Sequence, residues 1–464
     1  MIETAAAPPG QAPLVHPENA AFWAALADGA FRLQRCLGCD TVRFPLAPVC
    51  WRCLSPDYVL ADIDGSGVVA ASIVIERVTS GSLWARHVPY RTGLVDLAAG
   101  LRVPGRILCD CGRAARPGAQ VRMCRVATEK GQQVFAFAHD CGGQVPGDLP
   151  AFGALPTLPD SEERHAWDVW GRDDELGTVN LIGPEQVLAA TSAVRSGLVV
   201  PLSAPLTEPG PGLFPRRSRY QHVITRTNHG RDDRLDGFFP QFSSQWDGLR
   251  HVRYRQHGFW GGRQDADVDE GGALGIEHWA RHGIITRGVL IDAERYYAER
   301  GSGLPADQRR ALRPADLDAI LSAEETTLTP GCAVIIRTGW LEWYLSLDGE
   351  RRAALHGSVG RQPDPLACPG LDAGAATAAW LWDHRVAAVA GDNPALEALP
   401  VDRAVGFLHY RLIPLLGMPV GEFWALGELS RACRQAGRYE FMLSSAPLYL
   451  PGGVGSPANA YAVL

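Results

Sequence analysis

The sequence predicts an α/β protein of two unequal parts: a small all-β barrel carrying a metal ribbon, followed by a larger domain of mixed strands and helices. Three observations predict it. Two C-x-x-C knuckles stand just ahead of five short β-branched runs, the stretch 142–163 is rich in glycine and proline, and strand-like and helical patterns alternate after it.

At 464 residues the chain exceeds one ordinary core, so more than one domain is expected. Residues 1–15 read as a tail, 16–141 as the ribbon and barrel, 142–163 as a linker and 164–464 as the second domain. In the first part, "PENAAFWAALADGAFRLQRC" reads as a short helix running into a strand. The runs "VVAASIVIERV", "YRTGLVDL", "RVPGRIL", "AQVRMCRVA" and "QVFAFA" then supply five barrel strands. "GGQVPGDLPAFGALPTLPDSEE" has no apolar period and many turn formers, the basis for the linker. Beyond it, strand-like "GVLID" (288–292), "CAVIIRTGW" (332–340) and "RVAAVAGDNP" (385–394) alternate with helical "PADLDAILSAEE" (314–325) and "GAATAAWLWDH" (374–384). No internal repeat is visible.

No long apolar run and no basic, apolar leader is present, so a cytoplasmic protein without a membrane partner is expected. The formal charge is −7, and residues 1–150 carry 14 Lys+Arg against 13 Asp+Glu. Nucleic-acid grooves need a clear basic excess, so no nucleic-acid partner is expected. Lys130 is the only lysine, which excludes a Schiff-base lysine or a Gly-Lys-Ser/Thr phosphate loop elsewhere in the chain.

Eleven cysteines without an export signal read as thiols and metal ligands. Cys36-Leu-Gly-Cys39 and Cys50-Trp-Arg-Cys53 each bring two thiolates to one ion, and together they complete the tetrahedron that zinc accepts. The alternative is buried thiols or a redox pair. A four-thiolate site leaves no open position, so this zinc is structural. Cys109, Cys111 and Cys124 fit no second complete site and read as core thiols.

Around the knuckles, "GAFRLQRCLGCDTVRFPLAPVCWRC" followed by "GSGVVAASIVIERV" resembles the family that joins a rubredoxin-like zinc ribbon to an oligonucleotide/oligosaccharide-binding (OB) barrel, described as acyl-CoA-associated. The resemblance implies binding of a CoA thioester or of a thiolase-like enzyme partner.

The second part contains "WDVWGRDDELGTVNLI" (167–182), "SSQWDGLRHV" (243–252), "GIEHWARHGIITRGVLID" (275–292), "GDNPALEALP" (391–400) and "FLHYRLIPLLGMPVGEFWALGEL" (407–429). Together these resemble the cyclase and kynurenine-formamidase-like metal hydrolases, which implies a swivelling β/α-type hydrolase fold and a homodimer or homotetramer. That family's signature, His-x-Gly-Thr-His-x-Asp-x-Pro-x-His, falls on Gln241, Ser243, Ser244, Gln245, Asp247, Leu249 and His251. Asp247 and His251 match; glutamines replace both metal-binding histidines, which places a two-zinc centre in doubt. His409 and Glu422 align with the remaining ligands. The resemblance therefore implies a divalent metal on Asp247, His409 and Glu422, with Gln245 adding an amide oxygen, and His251 as the acid/base. Hard oxygen donors broaden the expected ion from zinc to manganese or magnesium. The expected reaction is hydrolysis, or the reverse cyclisation, of an amide, formamide, lactone or cyclic amide. The small-molecule substrate, or a neighbouring enzyme's product, would be CoA-linked. A non-catalytic scaffold for a thiolase or hydratase complex is the alternative.

Read without the resemblance, Asp247 caps a turn and His251 is a core histidine. Other signals stay two-sided. Gln241 and Trp246 flank the ligands and are assigned to the substrate pocket. Arg337 either binds a substrate carboxylate or pairs with an acid, and Trp167 and Trp170 either line the pocket or fill the core. His278 and His282 lie four apart but read as a helix end, while Asp392 and Asn393 close a strand or form a turn.

Overall fold

The computed structural model describes residues 15–16, 19–75, 90–108, 117–128, 131–139 and 149–464, without 211 and 271 and with scattered positions between 77 and 88. Cys109, Cys111, Lys130 and most of the expected tail lie outside the described residues. The chain divides into two compact units, 1–143 and 144–464.

In the first unit, the helix Ala20–Ala27 precedes a three-stranded antiparallel ribbon in which Arg32–Cys36 lies between Val42–Arg43 and Tyr58–Asp62. The five expected barrel strands follow as Ser66–Ile75, Tyr90–Leu97, Leu101–Leu108, Gln120–Ala127 and Gln133–His139. They close because the last strand inserts between two others, parallel to Leu101–Leu108 and antiparallel to Gln120–Ala127, while Ser66–Ile75 pairs with the latter. Closure removes the exposed edges an open sheet would present. Phe22 and Leu26 on the helix, and Phe31, Val69, Val95, Val103, Ile107, Val121 and Phe137 beyond it, form this unit's core.

The second unit is built on a nine-stranded mixed sheet. Its centre is four parallel strands, Ile284–Asp292, Ala333–Arg337, Ala388–Gly391 and Val420–Glu422. On one side Gln245–Asp247 and then Gly455–Pro457 continue it antiparallel; on the other come Glu440–Ser445, Ala460–Val463 and Val199–Pro201. Ala333–Arg337 and Ala388–Gly391 are buried at every position, which is why they read as unbroken apolar runs and not as alternating ones. The helices Pro314–Ala323 and Ala375–Asp383 occupy the predicted stretches. No helix among the described residues is long and apolar enough to cross a membrane.

The glycine/proline stretch is a linker for less of its length than expected. From residue 149 it packs on the second unit: Leu149, Leu155 and Leu158 are buried in that core, and Pro150 O accepts from Trp382 Nε1 at 2.9 Å. Prolines that break periodicity here shape an irregular but packed segment, so composition alone misassigns it. An exposed hairpin, Gln221–Arg226 with Arg231–Asp236, was not expected, because "RDDRLD" carries no apolar alternation.

Candidate active site and ribbon metal site

The four ribbon cysteines converge, with Cys36 and Cys53 Sγ 3.5 Å apart and Cys39 and Cys50 Sγ 3.6 Å apart. All four sulfurs lie within 4.8 Å of one another. The Thr41 hydroxyl, 3.1 Å from Cys39 Sγ, helps hold that thiol down at about 6, toward the thiolate a metal needs.

In the second unit, Gln245–Asp247 pairs with Val420–Glu422 so that Gln245 stands opposite Glu422 and Asp247 opposite Val420. Alternation then sends Gln245 and Asp247 to one face and Trp246 to the other. On its face Trp246 packs edge-on against Trp424, ring centroids 4.9 Å apart, and donates to Ser445 Oγ at 2.8 Å. Gly421, opposite Trp246, makes this approach possible: a Cβ there would lie 2.5 Å from Ala390 Cβ and 2.8 Å from Trp424 Nε1.

On the other face Asp247, His409 and Glu422 meet, each at most 3% exposed. His409 comes from a short helical turn, Leu408–Tyr410, that runs into a π-type turn at Arg411–Leu415, a local irregularity common at functional sites. Its Nε2 lies 3.1 Å from Glu422 Oε1 and 3.6 Å from Asp247 Oδ2. Its Nδ1 is held at 2.9 Å by Glu397 Oε2, whose other oxygen accepts from Leu408 N at 3.2 Å. Phe407 stacks on the ring at 4.6 Å.

The two glutamines knit the carboxylates together. Gln245 Nε2 donates to Glu422 Oε2 at 2.7 Å and to Asp247 Oδ1 at 3.1 Å, while Gln241 Nε2 donates to Asp247 Oδ1 and lies 3.0 Å from His251 Nδ1. Gln245 therefore presents an N–H to the carboxylates, and its oxygen faces Arg217 Nη1 at 3.4 Å. Between two anions the neutral amide turns its donors inward, with the oxygen expected to serve a metal on the Arg217 side.

Charge is unevenly shared. Burial opposes the His409 imidazolium, but Glu397, Asp247 and Glu422 outweigh it and raise its pKa well above the ordinary range. Burial, with the charge of Asp247, pushes Glu422 up to about 7. Asp247 is held low in spite of burial by His251, His409 and Arg217, and burial lowers His251, leaving it a neutral ring at neutral pH.

The donor set fits one divalent ion. One ligand atom each from Asp247, His409 and Glu422 lies within 4.8 Å of the others, and the buried Asp247 Oδ2 accepts no hydrogen bond among the described residues. Two anions and an imidazole suit such an ion.

Comparison with known proteins agrees with this layout. The Cyclase family model matches residues 200–398. A crystal structure described as that of a novel cyclase is 34% identical, covers 65% of this chain and 99% of its own, and superposes with a TM-score of 0.56. The chain belongs to the cyclase family. Ahead of the cyclase region, the ChsH2 rubredoxin-like zinc ribbon model matches 23–59 and the ChsH2 C-terminal OB-fold model 61–126. The four converging cysteines thus lie within a match to a zinc-ribbon domain, which supports a structural zinc there. The "Probable enoyl-CoA hydratase alpha subunit" of Thermomonospora curvata is 31% identical over 91 residues, 20% of this chain, which spans only 28% of that protein's length. A structure of an "Ltp2-ChsH2(DUF35) aldolase" is 26% identical over 28% of this chain and 98% of its own, with a TM-score of 0.25.

Three residues considered from sequence for the cyclase pocket take their structural alternatives instead. Trp246 is on the opposite face of its strand. Trp170 packs between Trp260 and Trp382, at 6.2 and 5.7 Å, as core. Arg337 spends its guanidinium on Asp292 and Glu294, both at 2.8 Å, and on Glu342 at 2.5 Å. Nor do His278 and His282 pair: the first lies 3.5 Å from Glu175, the second bonds Gly283 O at 2.8 Å. Asp392 accepts from Thr338 and Gly339 backbone N–H groups at 2.8 and 2.7 Å, and Asn393 Nδ2 donates to Glu397 O at 3.1 Å, so both support the loop that carries Glu397.

Two residues at the site were missed. Glu397 lies in "GDNPALEALP", where the strand-ending Asp392 and Asn393 carry the stronger local signal. Arg217 sits in "FPRRSRY" beside two further arginines, with no local signal to single it out.

Proposed function

We propose that this cyclase-family chain is a metal-dependent hydrolase of an amide, formamide, lactone or cyclic amide bond, or a cyclase running the same chemistry backwards. The single observation that carries the reading is a buried Asp247, His409 and Glu422 cluster in which Asp247 Oδ2 accepts no hydrogen bond among the described residues, with His251 beside it. Asp247, His409 and Glu422 would hold a divalent ion, zinc or manganese with magnesium next, which would supply polarisation of a carbonyl and a lowered pKa for water. Glu397 holds the His409 ring so that Nε2 faces the two carboxylates. Gln241 Nε2 lies 3.0 Å from His251 Nδ1 and fixes the ring beside the cluster, where His251 would relay a proton between the attacking water and the leaving nitrogen or oxygen. The ribbon and barrel, by their likeness to ChsH2 domains, fit an acyl-CoA setting, either a CoA-linked compound or a thiolase- or hydratase-like partner.

The test is a screen of the purified chain against N-formyl aromatic amines, lactones and cyclic amides with added manganese or zinc, beside elemental analysis. Turnover with a metal complement above the ribbon zinc supports the reading. A chain that binds only the ribbon zinc and turns over none of these classes is a scaffold.

A further inference from the structure

Asp247 and Glu422 each turn one oxygen inward and one outward. The inner pair, Asp247 Oδ2 and Glu422 Oε1, lie 3.6 and 3.1 Å from His409 Nε2. The outer pair, Asp247 Oδ1 and Glu422 Oε2, both accept from Gln245 Nε2, at 3.1 and 2.7 Å. The sheet itself puts Gln245 there. It stands directly opposite Glu422 on the neighbouring strand and two residues before Asp247 on its own, so all three side chains share one face. Gln245 is fully buried, and its amide oxygen points away, toward Arg217 Nη1 at 3.4 Å. Turned round, the amide would set that oxygen against two carboxylates and its N–H groups against a guanidinium.

Gln241 repeats the contact from outside the strand. Its Nε2 donates to Asp247 Oδ1 and lies 3.0 Å from His251 Nδ1. Room for it comes from Gly455, opposite Asp247 on the other neighbouring strand, where a Cβ would lie 2.7 Å from both Gln241 Cγ and Cδ. Asp247 Oδ2, by contrast, accepts no hydrogen bond among the described residues.

We infer that Gln245 and Gln241 are positioning residues and not ligands: their N–H groups hold the outer oxygens, so that Asp247 and Glu422 each present one oxygen to a single ion. This rests on the reading of the cluster as a metal site and goes beyond it, because it fixes how the ion is held. The chain then gives the ion three donor atoms, one oxygen from each carboxylate and His409 Nε2, and leaves its other positions to water and substrate. Carboxylates without such partners are free to grip a cation with both oxygens. A second cation beside the outer oxygens would meet amide N–H groups and not lone pairs.

The test is X-ray absorption at the cobalt edge of the full chain loaded with one cobalt(II), the ribbon zinc being retained, so that it needs no turnover and sees only the ion at the cluster. A carboxylate gripping with both oxygens brings its carbon closer to the metal than one gripping with a single oxygen. The wild-type chain should show no short cobalt–carbon distance. Gln245→Met, close in length but without N–H groups, should gain one, with affinity falling about 10–100-fold against a chelator. Gln241→Met should give a smaller shift, at Asp247 alone, and serves if Gln245→Met does not fold. A short cobalt–carbon distance already in the wild type, none in either variant, a second cobalt at saturation, or a crystal structure of the cobalt-loaded chain with Gln245 Oε1 on the ion would each overturn the inference and leave the metal site standing. A chain that takes up no cobalt beside its ribbon zinc would overturn the metal site and this inference with it.

Discussion

Asp247 and His251 are four residues apart and 3.8 Å from each other, yet the geometry gives them different work, and one pair of variants separates them. Asp247→Asn keeps an oxygen for the amide N–H groups of Gln241 and Gln245 but removes the anion that lies 3.6 Å from His409 Nε2. At an effective dielectric of about 20, a charge pair at that distance is worth about 4–5 kcal/mol, an amount that the nearby amides and Arg217 reduce. Losing one of two anionic ligands should therefore leave the ion unbound at micromolar protein, and elemental analysis should fall from about two metals per chain to about one, the ribbon zinc. His251→Asn leaves Asp247, His409 and Glu422 in place. It should retain both metals while turnover falls about 10²–10⁴-fold, the usual worth of a positioned proton carrier. Both variants are assayed by the same metal analysis and the same thermal melt. Full metal in Asp247→Asn, or loss of the second ion in His251→Asn, would refute the assigned roles and return the "QWDGLRH" segment to a purely structural one.

Glu397→Gln keeps a hydrogen-bond partner for His409 Nδ1 but not its charge, so metal affinity should drop about 10–100-fold in competition with a chelator; an unchanged affinity would show that Glu397 only packs. Cys50→Ser should cost the ribbon its zinc and make residues 16–140 protease-sensitive, with the cyclase unit's melt unmoved, and retained zinc would count against the four-thiolate site. A fragment beginning at 144 should fold and bind metal, whereas one beginning at 164 lacks Leu149, Leu155 and Leu158 and should melt markedly lower, equal melts being the contrary result. Glu324 is pushed up to about 8 by burial, with Asp292's charge adding to it. Its cost is thus absent below the unfolded value near 4.5, grows as pH rises, and is complete above about 8; Glu324→Gln should stabilise the fold increasingly across that window, toward an upper bound of about 5 kcal/mol, and a gain independent of pH would refute the cause.

What could be read in the sequence was whatever depends on neighbours in the chain. A C-x-x-C knuckle places two sulfurs on one ion by local turn geometry, and two knuckles ten residues apart need only a short ribbon to close. The barrel strands declare themselves through β-branched runs between turns, and the buried parallel strands through unbroken apolar ones. The order of Gln241, Gln245, Asp247 and His251 is local too, and resemblance extended it to His409 and Glu422 across 162 positions, from 247 to 409.

Tertiary structure decided the rest, because it turns on which faces meet. Trp246 stands between two site residues in sequence but is sent to the opposite face by the two-residue period of its strand, and Gly421 on the neighbouring strand makes room for it there. Arg337 was a plausible anion binder until the fold surrounded it with three carboxylates. Arg217 was one arginine of several until the fold set it against the neutral oxygens of Gln241 and Gln245, beside the carboxylate cluster. Both follow from the same physics: a guanidinium's role is set by whether the fold supplies a counter-charge, and no local pattern in the sequence encodes that.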